Sequence, residues 1–204
     1  MSLEKKEIFN EVRRVLYAEA EAVGRLAETV DSAAIEEAVK VLAACKGRIL
    51  LAGCGTSAQA AKKIAHSLSC IERPAAFLIP SDAVHGGLGL LQKDDVLILI
   101  SKGGNTSELT KLIPSCRAKG AYLIGVTENE NSTIAEESDL LLRIKVEKEP
   151  DEFNMLATAS TLAVIAVFDA ICITLMKYTD YTKEQFAVIH PSGAVGDRLL
   201  GKVK

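Results

Sequence analysis

Apolar residues fall at two different spacings along this chain, and the change between them marks its organisation. From Leu3 to Leu26 they recur three or four positions apart, at Ile8, Val12, Val15, Leu16, Ala20 and Val23, as one face of a helix does. A second helix is expected from Ser32 to Cys45, with Ser32 as its N-cap and Glu36 and Glu37 near its positive end. Beyond residue 46 the texture changes. Five short β-rich runs follow: Arg48–Ala52, Ala75–Ile79, Val96–Ser101, Tyr122–Thr127 and Leu140–Val146. They are continuous apolar blocks rather than alternating ones, the pattern of strands buried on both faces. Helical patterns separate most of them. One is Ser57–Ser69, with Ala61, Ile64, Ala65 and Leu68; another is Thr106–Lys119, with Leu109, Leu112, Ile113 and Cys116. This alternation predicts an α/β fold with a doubly wound parallel sheet. A long apolar helix over about Thr158–Tyr178 and a short one over Thr182–His190 follow. The uncharged run Phe153–Phe168 contains Asn, Thr and Ser and is shorter than a spanning helix needs, so it is expected as a buried core helix.

Composition narrows the function classes. The 204 residues suit one domain. Hydrophobic residues at 49% and charged residues at 25% support a sizeable core, and aromatics at 4% with no Trp make that core aliphatic. The 24 basic and 27 acidic residues give a formal charge of −3, without the basic field that a nucleic-acid partner demands. Residues 1–46 are too short and too acidic for a helix-turn-helix domain. The five cysteines are odd in number and lack CxxC spacing, which suggests neither a disulfide framework nor a thiolate metal site, and places the chain in a reducing cytoplasm. The N-terminus MSLEKKEIFNEVRR has no apolar core of a signal peptide, and no membrane partner is expected. Three scattered histidines without ligand spacing argue for no metal, and no cofactor is implied.

In an open parallel sheet, ligands collect beyond the carboxyl ends of the strands. After the first strand comes Gly53-Cys54-Gly55-Thr56-Ser57. Its glycines allow close backbone approach, and the following helix start offers free N–H groups to an anion. The plain alternative is a tight turn in which Ser57 caps the helix. A dinucleotide fingerprint is not met, because Ala58 stands at the third glycine position and Pro80-Ser81-Asp82 supplies no clean ribose carboxylate. After the third strand comes Ser101-Lys102-Gly103-Gly104-Asn105-Thr106-Ser107-Glu108. Together the two turns make a phosphate cradle of hydroxyls and backbone amides from Gly55, Thr56, Ser57, Ser101, Gly104, Thr106 and Ser107. Glu108 either forms a capping box with Asn105 or takes part in chemistry. After the second strand, His85 is a candidate, against the alternative of a surface histidine. The run Lys145–Glu152 holds six charges in eight residues and suits a solvated loop, so Glu149 draws no notice on its own. Pro191 stops the last helix, and His190 reads either as a helix C-terminal histidine on the dipole or as a functional group.

These motifs carry a resemblance. The pair Gly53-x-Gly55-x-Ser57 and Ser101-x-Gly103-Gly104-x-Thr106 resembles the SIS (sugar isomerase) domain, which binds phosphosugars. The blocks Ser81–Gly89 and His190–Leu200 resemble the arabinose-5-phosphate isomerase branch, whose motifs run approximately H-G-D-L-G and H-P-G-G-A-L-G-R-x-L. The likeness spans roughly Leu3 to Lys202. It implies a three-layer αβα sandwich with a five-stranded parallel sheet, a sugar phosphate as ligand, and homo-oligomers, usually tetramers, in which neighbours complete each site. Catalytic roles carry over to Glu108, Glu149 and His190, with His85 a further candidate, and phosphate-binding hydroxyls to Ser57, Ser101 and Thr106. Two positions depart from the family: Thr56 stands where it has Lys, and Gly103 where it has Ser. The chain stops at Lys204, short of the CBS domain pair that family members commonly append, so a single domain without them is expected. The implied reaction is aldose–ketose isomerisation of a sugar phosphate through an enediol, with Glu108 or Glu149 as the base. A non-catalytic phosphosugar sensor and a hexulose-phosphate isomerase are the alternatives, and the His190-Pro191 block argues against the latter.

Overall fold

The computed structural model describes residues 5–192 and 196. Its sheet contains β1 (Ile49–Gly53), β2 (Ala75–Phe77), β3 (Val96–Ile100), β4 (Tyr122–Thr127) and β5 (Leu140–Arg143), all parallel, in the order β2-β1-β3-β4-β5. Successive side chains leave a strand on opposite faces. Ile49, Leu51, Ile98, Ile100, Ile124 and Val126 therefore join one apolar core, while Leu50, Ala52, Leu97, Leu99 and Leu123 join a second. Two cores on one sheet require a helical layer on each side, which is the doubly wound sheet that the alternation predicted and the three-layer αβα sandwich that the resemblance implied.

On the first face lie α1 (Lys5–Thr29), α2 (Ser32–Ala44), α3 (Thr56–Ser69) and α8 (Ala159–Tyr178). By length and composition alone α8 could cross a membrane, but here it packs against α1, α2 and α3, and its Asp169 pairs with Lys63 of α3. On the second face lie α4 (Pro80–Ala83), α5 (Ser107–Thr110), α6 (Ile113–Lys119) and α7 (Thr133–Glu137), followed in sequence by α9 (Lys183–Ile189) after α8.

Several expected boundaries shift for local physical reasons. Asp31, not Ser32, caps α2: its carboxylate accepts from Ala33 N and Ala34 N. The expected helix Thr106–Lys119 divides into α5 and α6, because Pro114 lacks the N–H that would continue the ladder. The run Phe153–Phe168 is not one core helix. Phe153, Met155 and Leu156 are exposed, because the Asp151 carboxylate accepts from all three of their backbone N–H groups and folds the segment as a loop before α8 begins. The last helix carries a capping box between Thr182 and Gln185. Of the block His190–Leu200, residues 193–195 and 197–200 lie outside the described residues.

Candidate active site

β1 feeds α3 onto one face and β3 feeds α5 onto the other, so the chain parts between two adjacent strands and leaves a crevice at their carboxyl ends. The β1–α3 turn forms one wall. Gly53 lets α3 lie close against it: a Cβ there would sit 2.8 Å from the Ser57 backbone. The N-cap of α3 is Gly55, which has no side chain to cap the helix, so Ser57 is not the cap and its hydroxyl is left for another partner. The first N–H groups of α3 point to the crevice with the positive end of the helix dipole behind them.

The β3–α5 turn forms the other wall. Ser101 Oγ and Thr106 Oγ1 lie 2.8 Å apart, and Gly104 N donates to Ser101 Oγ at 3.1 Å. The loop after β4 clamps the turn from behind. Thr127 Oγ1 donates to Lys102 O, Asn129 Nδ2 to Gly103 O, and Ile134 N to Gly104 O. Asn105 is used up in the same clamp, because its Oδ1 accepts from Thr133 N at 2.9 Å. The expected Asn105–Glu108 capping box is therefore not formed, and Thr106 occupies the N-cap position of α5.

Between the walls is a pocket of about 70 Å³, lined by Thr56, Ser57, Lys102, Ser160 and Thr161 over an apolar floor that includes Val126. Behind Lys102 lies Glu149, which the charge-rich run placed in a solvated loop but which is 1% exposed. Each of its oxygens is engaged. Oε1 accepts from Lys102 Nζ at 2.8 Å, and Oε2 accepts from Thr158 N at 3.0 Å and Ser160 N at 3.3 Å. Glu149 thus caps α8, whose own N-cap residue Thr158 makes no side-chain cap. Burial is the largest single influence on this carboxyl and pushes its pKa up, but Lys102, Ser160 and Thr158 together outweigh it and hold the group below the usual carboxylate range.

Glu108 has the opposite setting. It is exposed in the first turn of α5, where its own backbone N–H and then the Ser107 hydroxyl lower its pKa. Its charge reaches across the crevice to Cys54 in the β1–α3 turn, whose thiol pKa is raised chiefly by burial and further by Glu108. His85 is exposed just beyond α4, which packs against α5. His190 stands apart from the pocket lining. It follows α9, stacks on Phe186 with ring centroids 3.9 Å apart, and its Nδ1 lies 2.9 Å from Phe186 O. Of the residues expected from the sequence, Thr56 and Ser57 line the pocket; Ser101, Gly104, Thr106, Ser107 and Glu108 lie in the adjoining β3–α5 turn and helix start outside its lining, and Glu149 lies behind Lys102. Lys102 is the residue that sequence reasoning missed. The available signal was a lone cation between the hydroxyl and the glycines of a strand-to-helix turn.

The SIS domain family matches residues 42–174. The arabinose 5-phosphate isomerase KpsF of Escherichia coli O6:H1 is 34% identical over 196 residues, which cover 96% of this chain and 60% of that protein. The chain therefore spans about three fifths of the length of the curated relatives it matches first. Among solved structures, a Listeria monocytogenes protein provisionally named a sugar-phosphate isomerase is 58% identical with a TM-score of 0.92, covering 94% of this chain and all of that one. An Escherichia coli CFT073 protein in complex with arabinose 5-phosphate is 31% identical with a TM-score of 0.89, covering 93% of this chain and all of that one. With the sheet order, the crevice turns and these matches in agreement, the chain belongs to the SIS domain family.

Proposed function

We propose that this chain is a cytoplasmic aldose–ketose isomerase that interconverts arabinose 5-phosphate and ribulose 5-phosphate. The observation that carries the reading is the crevice itself. Two hydroxyl-bearing turns and the start of α3 supply anion donors, and carboxylates of contrasting environment, Glu108 and Glu149, flank them. The names of the relatives supply the sugar. The five free cysteines suit a reducing compartment.

The reaction moves a proton from C2 of the aldose to C1, with the two oxygens exchanging carbonyl and hydroxyl roles through an enediol. Glu108 suits the base that carries this proton. It is exposed in the first turn of α5 and, among the described residues, has no cation paired at hydrogen-bond distance, whereas both Glu149 oxygens are engaged and buried. His190 and His85 suit the movement of hydroxyl protons and ring opening, since an imidazole offers both a proton donor and a proton acceptor. The test is incubation with a panel of aldose and ketose phosphates in deuterated water. The expected result is interconversion of arabinose 5-phosphate and ribulose 5-phosphate, with deuterium at the carbon that receives the proton. Tight binding with neither isomer nor deuterium in any sugar would establish a non-catalytic sensor instead.

We further infer a homo-oligomer, a tetramer by resemblance, whose sites are shared between subunits. A pocket of about 70 Å³ is far below the roughly 300–1,000 Å³ of an enclosed ligand site, so another surface is needed to cover a sugar phosphate. Ile8, Phe9, Val12, Leu16 and Tyr17 form an exposed apolar stripe on α1, and Phe153, Met155 and Leu156 expose more beside Glu149. His190, stacked on Phe186, lies outside the pocket lining of its own chain, so a part for it in the chemistry calls for a site on a neighbour. Mixing inactive His190→Ala with inactive Ser57→Ala protomers, with subunit exchange, is expected to restore part of the activity. Absence of recovery in demonstrated hybrids would assign both residues to sites within one chain.

A further inference from the structure

We propose that Lys102 is the phosphate-binding cation of this site, and that Glu149 is the positioning residue that aims it. The proposal rests on the reading of the crevice as a phosphosugar site and adds the group that balances its charge.

A phosphate monoester carries close to two negative charges at neutral pH. Here it would enter a crevice that already holds Glu108 at the rim and Glu149 beneath. Near a protein surface, like charges a few ångströms apart repel by several kcal/mol. Hydroxyls and amides soften that cost but carry no net charge. Among the described residues lining the pocket, Lys102 is the one with a charged side chain.

Its geometry fits the task. The Lys102 backbone is pinned, with its carbonyl accepting from Thr127 Oγ1 at 2.8 Å and Glu128 N at 3.2 Å. Its ammonium donates to Glu149 Oε1 at 2.8 Å. An ammonium has three N–H donors, so two remain for another acceptor. The Lys102 side chain is 40% exposed while that of Glu149 is fully buried, so the pair is open to solvent only on the lysine side. Glu149 is in turn fixed to the start of α8 through Thr158 N and Ser160 N. The ammonium is therefore held at the pocket wall by a carboxylate that cannot itself move out.

The opposite wall adds a second observation. Thr56 lines the same pocket from the β1–α3 turn and offers only a neutral hydroxyl. Of the two turns, the β3–α5 turn is the one that brings a charged side chain to the pocket. A lysine introduced at position 56 would start from the lining of the same pocket.

The experiment compares wild type, Lys102→Gln, and the swap variant Thr56→Lys with Lys102→Gln, by steady-state kinetics on arabinose 5-phosphate, calorimetric binding of the same compound, and thermal melting. A charge-assisted hydrogen bond to phosphate makes about a 10- to 150-fold difference in affinity. Lys102→Gln is expected to raise KM and Kd by about that factor, with a smaller change in kcat. The swap variant is expected to recover at least about tenfold of the loss, since charge rather than the Lys102 position is what the ligand requires. A lysine that serves only to neutralise Glu149 predicts a lower melting temperature with Kd unchanged, and that result overturns the proposal. So does a fall confined to kcat, or a loss that the well-folded swap variant does not recover. If wild type turns over no phosphosugar, the isomerase reading fails by itself. The binding arm then decides Lys102 alone: a Kd at least about tenfold weaker in Lys102→Gln sustains it, and an unchanged Kd overturns it.

Discussion

Glu108→Gln is expected to slow isomerisation of arabinose 5-phosphate by about 10²- to 10⁴-fold, the span that a positioned general base contributes. The substitution keeps the size of the side chain and removes only its capacity to take a proton. Fold stability is expected to stay within about 0.5 kcal/mol of wild type, because Glu108 is exposed and its local hydrogen bonds, from its own backbone N–H and the adjacent Ser107 hydroxyl, can be made to the Gln carbonyl. Affinity for the sugar phosphate is expected to hold or to rise slightly, since one carboxylate leaves the neighbourhood of the dianion. Deuterium uptake is the more telling readout, because it reports the proton transfer itself. A Glu108→Gln variant that still exchanges the carbon-bound proton at the wild-type rate would move the base elsewhere, with Glu149 the next carboxylate in line. Glu149→Gln does not offer so clean a comparison. It leaves one acceptor oxygen where Glu149 uses two, so the charged partner of Lys102 is lost and either that bond or the cap of α8 goes unmade, and the activity loss comes with a loss of stability. Since the Glu149 pKa is depressed in the folded state, its stabilisation is present above the unfolded value of about 4.3 and is lost as pH falls through the folded value.

The sheet was legible because its strands are buried on both faces. Leu97 and Leu99 meet one core while Ile98 and Ile100 meet the other, and that arrangement leaves an unbroken apolar run in the sequence. The crevice turns were legible because glycine and hydroxyl residues concentrate where a strand passes into a helix. What escaped depends on partners distant in sequence. Nothing local distinguishes the Asn105–Glu108 spacing from a working capping box; it fails because Thr133, 28 residues away, claims the Asn105 side chain. Phe153 to Phe168 is uncharged throughout, but its first residues are held in a loop by Asp151, just upstream of the run. Glu149 sits in a charge-rich run that suggests solvent, and the start of α8 and Lys102 draw it inside. Resemblance singled out Glu149 where residue patterns could not, and it gave no reason to look at Lys102, whose one sequence signal was a cation set inside the glycine turn.

Gly104→Ala is expected to be the most damaging single-methyl change in the site, costing about 2–6 kcal/mol of stability by the sum of two effects. The residue has φ +72°, in the left-handed region where a side chain costs about 1–3 kcal/mol. A Cβ built there would also collide with Ser132 Oγ and come within 2.9 Å of Thr127 Oγ1, and overpacking of this kind costs about 1–3 kcal/mol more. Neither neighbour can yield without loss. Ser132 is fully buried, donates to Asn129 O at 2.7 Å and caps α7 through Ala135 N, while Thr127 Oγ1 holds the Lys102 carbonyl. The added methyl therefore pushes the β3–α5 turn away from its clamp. Ser101, Lys102 and Thr106 shift with it, and a displacement of about 1 Å in positioning groups costs about 100-fold in rate. Gly24→Ala provides the contrast. That glycine lies within α1 with nothing within 4 Å of the added atom, and the change is expected to stabilise by about 0.5–1 kcal/mol through helix propensity. Denaturant unfolding of the two variants, with kinetics on the same samples, checks both signs. A Gly104→Ala protein that unfolds at the wild-type midpoint and turns over at the wild-type rate would mean that the turn relaxes freely, and the clamp from the β4–α7 loop would then have no part in fixing the phosphate cradle.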